Sequence, residues 1–280
     1  MNALFRLLRE VRQLDPATVW DSITHQIRRR RYRARFRTDR PPGPSATSDY
    51  LHPGHVTGHV RQGRSVIIAC ADGSYTLTIL APDLIRVHFQ PANQPTNQPT
   101  ASYPIAKSDA DWLPRDFHTV ETEATVEVKT SRLTCRVAKA SGRIAFLDPE
   151  GHVVNEDESG AGWHPTGHLI CRKRAQPDEH FYGLGERTLG LDRRGRRYTM
   201  WHADPHTYQL DQDPIHLCIP VLLGLHSQGC QGYGIFFDNA FRGHFDLGAV
   251  DPEVVSFGAE GGQLCYYFIY GPALTTVVER

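Results

Sequence analysis

No apolar run in this 280-residue chain approaches the roughly 20 residues that span a bilayer. Its start, MNALFRLLREVRQLD, breaks its apolar residues with Arg6, Arg9, Glu10 and Arg12, unlike the uninterrupted core of a secretory leader. No membrane span is expected. The six cysteines, at 70, 135, 171, 218, 230 and 265, form no CxxC pair and no short framework spacing. Several stand in apolar runs such as VIIACA and LTCRV, where a thiol packs as a small hydrophobe. A reducing, cytoplasmic compartment is the expectation.

Other absences remove whole classes of chemistry. GLGERTLG has two close glycines, but its third comes too late for a dinucleotide fingerprint and no Walker lysine follows. No strand-helix-strand unit surrounds it to aim a helix N-terminus at phosphates. Gly183 and Gly185 instead fit a bend at a strand end or a close backbone approach. Fifteen histidines are a rich supply, with His52, His55 and His59 in one group and His202, His206 and His216 in another. No HExxH or paired Cys/His spacing occurs, so no metal and no cofactor is expected. No G-x-S-x-G elbow is present for a nucleophilic serine.

The zero formal net charge hides an uneven distribution. Residues 1–40 hold eleven Lys/Arg against four Asp/Glu, leaving twenty against twenty-seven in the rest. DPATVWDSITHQI reads as an amphipathic helix, with Asp15 as N-cap, Pro16 at the first helical position, and Val19, Trp20, Ile23 and Ile27 at helical spacing. It runs into RRRRYRARFR, residues 28–37. That run suits a nucleic-acid or anionic-membrane arm, or else a solvated helix end whose cations match the macrodipole. The second reading is preferred, and a nucleic-acid partner is not expected, because nothing downstream continues a basic surface. TDRPPGPSATSD follows as a Pro/Ser linker.

From about residue 50, short β-prone runs alternate with turns, and helical periodicity of any length is missing up to about residue 270. SVIIACADGSYTLTILAPDLIRVHFQ gives three strands broken at DG and PD. PANQPTNQPTASYP, with its tandem NQPT, reads as a surface insertion. Residues 118–154 give three more strands, with SG and PEG as turns, and 155–166 reads as a polar break. Further short runs follow to YYFIYG. An all-β, antiparallel β-sandwich is the fold class this pattern predicts. GPALTTVVER, after Pro272, reads as the beginning of a helix.

The stretch with most chemical character is RRYTMWHADPHTYQLDQDPIHLCIPVLLGL. Trp201, His202, Asp204, His206 and Tyr208 place aromatic faces, imidazoles and a carboxylate on a Pro-broken loop between strands. Such mixtures bind sugars, since an aromatic face packs on C–H groups while a carboxylate accepts from hydroxyls. The competing reading is structural: Trp201 completes a core and Asp204 caps the turn before Pro205.

FYGLGER, RRGRRYTMWHADP, IPVLLGL, GYGIFFDNAFRGHFDLG and YYFIYGP, in this order, resemble the amino-terminal half of glycoside hydrolase family 31, the α-glucosidase and α-xylosidase family. The resemblance covers roughly residues 50–280 and is densest from 180 onward. It implies a galactose-mutarotase-like β-sandwich ahead of a (β/α)8 barrel, with APDLIRVHF as an early strand. The organisation it implies is a basic helical arm and linker over residues 1–48, the sandwich over 49–271, and the start of a linker helix into a barrel over 272–280.

Retaining glycoside hydrolysis needs two carboxylates roughly 5–5.5 Å apart. In the resembled family both come from the barrel, the nucleophile in a W-x-D-M-N-E-like run that is absent here, so no catalytic residue is expected in this chain. A barrel takes about 250 residues. The expectation is therefore a truncated or split α-glucosidase-like hydrolase, inactive alone and completed by a separate barrel-containing chain. A stand-alone, non-catalytic carbohydrate-binding module is the alternative. The resemblance gives Asp204 a hydrogen bond to the substrate, an α-linked oligosaccharide or glucoside, on the leaving-group side. Trp201 and His202 are its weaker companions.

Overall fold

In the computed structural model of the protein, residues 20, 24, 49–92, 102, 104–112, 116–205, 210, 212–227 and 231–280 are described. The chain divides into two compact units, Met1–Gly43 and Pro44–Arg280. The helix and arginine run expected in the first unit lie outside the described residues except for Trp20 and Thr24, which are helical. The tandem NQPT segment also lies outside them.

Two antiparallel sheets make up the second unit. One has eight strands: β1 (Val56–Gln62), β2 (Ser65–Cys70), β3 (Gly73–Ala81), β4 (Leu84–Pro91), β11 (Glu179–Gly183), β13 (Val221–His226), β14 (Gln231–Phe237) and β17 (Leu264–Gly271). Their spatial order is β1-β2-β3-β4-β17-β14-β13-β11. The other has nine: β5 (His118–Glu121), β6 (Thr125–Lys129), β7 (Thr134–Ala138), β8 (Ile144–Leu147), β9 (Val153–Trp163), β10 (Leu169–Arg174), β12 (Arg197–Met200), β15 (Gly243–Leu247) and β16 (Val254–Ala259). These run in the order β12-β15-β16-β10-β9-β8-β7-β6-β5. A final helix, α1 (Leu274–Glu279), contacts β14 and β17, burying Val277. Arg280 Nη2 lies 2.7 Å from the buried Asp83 carboxylate, which Arg132 also meets at 3.0 Å. No helix among the described residues is long and apolar enough to cross a membrane.

The period-2 patterning explains the layers. Val66, Ile68 and Cys70 on β2, and Tyr75, Leu77 and Ile79 on β3, alternate inward onto one core. Phe268 of β17 lies flat on Phe146 of β8, ring centroids 3.7 Å apart, and stacks on Tyr233 of β14 at 5.5 Å. This aromatic column joins the two sheets, and each fully buried aromatic contributes about 1.5–3 kcal/mol through removal of apolar surface from water.

Two strand expectations need correction. Residues 118–147 hold four strands, β5 to β8, where the pattern predicted three through residue 154. The supposed polar break at 155–166 is mostly β9, at eleven residues the longest strand described. Its charges are satisfied across the sheet. Glu158 pairs with Arg172 at 2.9 Å and Glu156 with Arg174 at 3.0 Å, while Asp157 turns inward to Lys173 at 2.6 Å. A bulge between the Arg172 and Lys173 pairings admits the extra residues.

Candidate functional site

The GLGER stretch leaves β11 through an unusual backbone. Gly183, Leu184 and Gly185 have φ of 92°, 66° and 80°, three successive residues in left-handed territory. Leu184 bears the cost of that conformation, about 1–3 kcal/mol for a non-glycine residue, and its side chain is fully buried in the core. Its N–H donates to the Val221 carbonyl at 2.9 Å, and that of Glu186 donates to Leu217 at 3.0 Å. The close-approach reading of the two glycines thus holds: a Cβ at Gly183 would stand 2.5 Å from the Val221 oxygen.

The chain then crosses between the sheets. Arg193 N–H donates to Phe181 of β11 at 2.7 Å, and Gly195 N–H to Leu247 of β15 at 2.7 Å. Asp192 pins the crossing through His180 at 2.7 Å and the amides of Arg194 and Phe181. Burial works against its charge, but these hydrogen bonds outweigh burial and hold its carboxyl below the usual range.

Arg197 begins β12, which delivers the chain to Trp201, His202, Ala203, Asp204 and Pro205. Trp201 is 46% exposed, so it does not complete a core, and the Asp204 side chain is 95% exposed. Pro205 is buried. His206 and Tyr208 lie outside the described residues. The loop base is held by the continuation of the same stretch, residues 213–218, to which the sequence pattern assigned no such role. Thr199 N–H donates to Asp213 Oδ2 at 2.6 Å, and Ala203 N–H to the Ile215 carbonyl at 3.2 Å. Cys218 Sγ lies 3.3 Å from the Trp201 carbonyl, and His202 Nε2 lies 3.4 Å from that of Cys218.

Arg187, the arginine of GLGER, runs beneath this loop with only 1% of its side chain exposed. Its guanidinium lies over the Tyr198 ring, 5.2 Å from the centroid, and its terminal nitrogens are 3.7 and 3.8 Å from Cys218 Sγ. Asp213 Oδ1 is 3.8 Å from its Nε. A cleft of about 180 Å³ opens here, lined by Arg187, Arg197, Tyr198, Gln212 and Asp213 among others. Nothing in the local sequence separates this buried arginine, or the buried Arg193 of RRGRR, from the exposed Arg197 in the same run.

Beyond the cleft, His216 Nε2 donates to Asp204 Oδ1 at 2.8 Å. Three of the singled-out residues, Trp201, His202 and Asp204, thus share one exposed loop, and His216 joins them from 12 to 15 residues downstream. Leu217 and Ile219, 48% and 42% exposed, add an apolar margin on the segment that holds Trp201. Chemically the loop offers an acceptor-only carboxylate beside an aromatic surface. Among the described residues no group of three or more His, Cys, Asp or Glu is placed to hold a metal.

Comparison with known proteins fits this architecture. The Glycosyl hydrolase 31 N-terminal galactose mutarotase-like domain matches residues 74–246. Alpha-glucosidase 2 of Bacillus thermoamyloliquefaciens is 29% identical over 213 residues, which is 75% of this chain and 26% of that protein. The dextranase of Flavobacterium johnsoniae, solved with isomaltotriose, superposes with a TM-score of 0.74 at 28% identity, covering 82% of this chain and 28% of that one. The α-1,4-glucan lyase of Gracilariopsis lemaneiformis shares the fold, with a TM-score of 0.70 at 17% identity over 82% of this chain and 29% of its own. The chain spans about a quarter of the length of these relatives.

Proposed function

Because the chain belongs to the glycosyl hydrolase 31 family through its N-terminal galactose mutarotase-like domain, we propose that it is the substrate-side, non-catalytic part of an α-glucosidase-type hydrolase. It presents Asp204 to a hydroxyl of an α-linked oligosaccharide or glucoside, with Trp201 and His202 beside it. The two carboxylates that cleave the bond belong to a barrel domain, in the same polypeptide or a separate one. Trp201, Leu217 and Ile219 form the apolar margin against which that domain packs.

The observation that carries this reading is the Asp204 carboxylate: 95% exposed, yet held at the end of a loop whose base is tied to the sandwich. An aspartate kept only to cap its own turn would direct its oxygens at local amides. This one turns Oδ1 to His216 and makes no backbone hydrogen bond among those described.

The test is titration of residues 1–280 with maltose and isomaltotriose, followed by two-dimensional NMR. Weak binding is expected, centred on residues 201–204 and 215–219. A hydrogen bond to a charged group contributes about 1.5–3 kcal/mol, so Asp204→Ala should weaken binding about tenfold or more. The isolated chain should not turn over p-nitrophenyl α-glucoside. Binding that is unchanged in Asp204→Ala sinks the assigned contact, and turnover by the isolated chain sinks the non-catalytic assignment.

A further inference from the structure

Resting on the reading of Asp204 as the sugar contact, we propose that His216 is a specificity-determining positioning residue: it fixes the Asp204 carboxylate so that Oδ2 alone meets the ligand. The geometry starts in the core. Ile215 is fully buried and its carbonyl accepts the Ala203 N–H at 3.2 Å. That single backbone hydrogen bond sets residues 203 and 215 side by side, so their successors, Asp204 and His216, face each other outside the core. His216 Nε2 then reaches Asp204 Oδ1 at 2.8 Å.

An ionised carboxylate only accepts, so Nε2 carries the hydrogen of this bond. Without it, a side chain as exposed as Asp204 turns freely about its terminal torsion and offers either oxygen to any donor. With it, one oxygen is occupied and the other points away from the imidazole. A ligand hydroxyl then finds one acceptor in one direction, and less rotational freedom is lost on binding. Discrimination follows as well. A sugar whose hydroxyl lies off that direction must break the His216 bond to be accepted.

Three other observations bear on the pair. His216 is 44% exposed at its side chain, so its substitution opens no core cavity. Arg187 and Asp213, the nearest charged pair beneath the loop, are engaged with each other and with Thr199 and Cys218 rather than with the carboxylate. The loop base is held by hydrogen bonds of Thr199, Ala203 and Cys218 that do not pass through the His216 imidazole, so these ties remain when the imidazole is lost.

The experiment is a double-mutant cycle read by NMR titration with maltose and isomaltotriose on the full 280-residue chain. Ordering one side chain is worth about 0.5–1.5 kcal/mol, so His216→Ala should weaken binding about two- to tenfold. It should also narrow the preference between the two sugars. His216→Gln, which keeps a donor, should recover most of the affinity. Asp204→Ala and the double variant should bind equally weakly, because His216 acts only through Asp204. Unfolding midpoints of the His216 variants should match the parent.

If Asp204→Ala loses binding while His216→Ala does not, the inference falls and the reading of Asp204 stands. Additive losses in the double variant also overturn it, since they give His216 a contact of its own. No binding by the parent chain removes the reading of Asp204, and the inference with it.

Discussion

Asp157→Ala is expected to lower the unfolding free energy by about 3–5 kcal/mol, the cost of leaving a buried charge without its partner. The charge left behind is Lys173, whose side chain is fully buried between the sheets. Its ammonium is 2.6 Å from Asp157 Oδ1 and donates to the Tyr266 hydroxyl at 3.2 Å. It also lies over the rings of Tyr266 and Phe146, at 5.0 and 5.4 Å. Asp157 Oδ2 accepts the Ile144 N–H at 2.7 Å, so alanine also strands a buried amide at the start of β8. Chemical denaturation of parent and variant checks this. The double variant Asp157→Leu, Lys173→Met should recover much of the loss, because removing both charges leaves no buried ion to solvate. A loss below about 1 kcal/mol in Asp157→Ala would show that the ammonium finds water or another acceptor, well outside the range for a broken buried pair.

The same pair sets an alkaline limit. Burial pushes the Lys173 ammonium toward its neutral form, but the Asp157 carboxylate outweighs burial and holds its pKa above the ordinary value. A folded value above the unfolded one means that the contribution to stability is complete below the ordinary lysine range. It is lost as pH rises through the raised value. Lys173→Met should therefore show a flatter alkaline stability profile than the parent.

This pair also marks where the sequence stops being legible. In HLICRKRA, Lys173 stands between two arginines and looks as solvated as they are. Strand alternation turns it inward with Leu169 and Cys171, and its acceptor comes from NEDESG, which reads as a polar break for the same reason. A buried charge network has no periodic signature, since what satisfies each charge lies on another strand. Strands β2 to β4 are legible because Val66, Ile68, Leu77, Ile79 and Val87 repeat every second residue between turn signals. The WHADP loop shows its character through composition. His216 does not, because its approach to Asp204 depends on the Ala203–Ile215 hydrogen bond, which no local spacing encodes. Arg187 is hidden in the same way, an arginine among arginines whose burial is decided by the segment laid over it.

Gly185→Ala should cost about 2–4 kcal/mol of stability, from strain at positive φ together with overpacking against backbone, and should loosen the sugar contact as well. At φ 80° the added methyl is in a backbone region that alanine rarely adopts. It would overlap the Leu217 carbonyl oxygen and come within 2.9 Å of the Ile219 nitrogen. Neither obstacle is a side chain that can swing away. The neighbour has to move, and Leu217 carries with it His216 on one side and Cys218 on the other, the two residues that meet Asp204 and the Trp201 carbonyl. Leu184, already at φ 66°, has no slack to absorb the shift, since its side chain is fully buried. Gly190→Ala is the control: no atom lies within 4 Å of its Cβ position and its φ is not in the left-handed region, so a change within about 0.5 kcal/mol is expected. Thermal unfolding and sugar titration of both variants separate the possibilities. A Gly185→Ala protein that melts and binds like the parent would mean that the segment under the loop yields freely. The tight turn of GLGER would then have no part in holding Asp204.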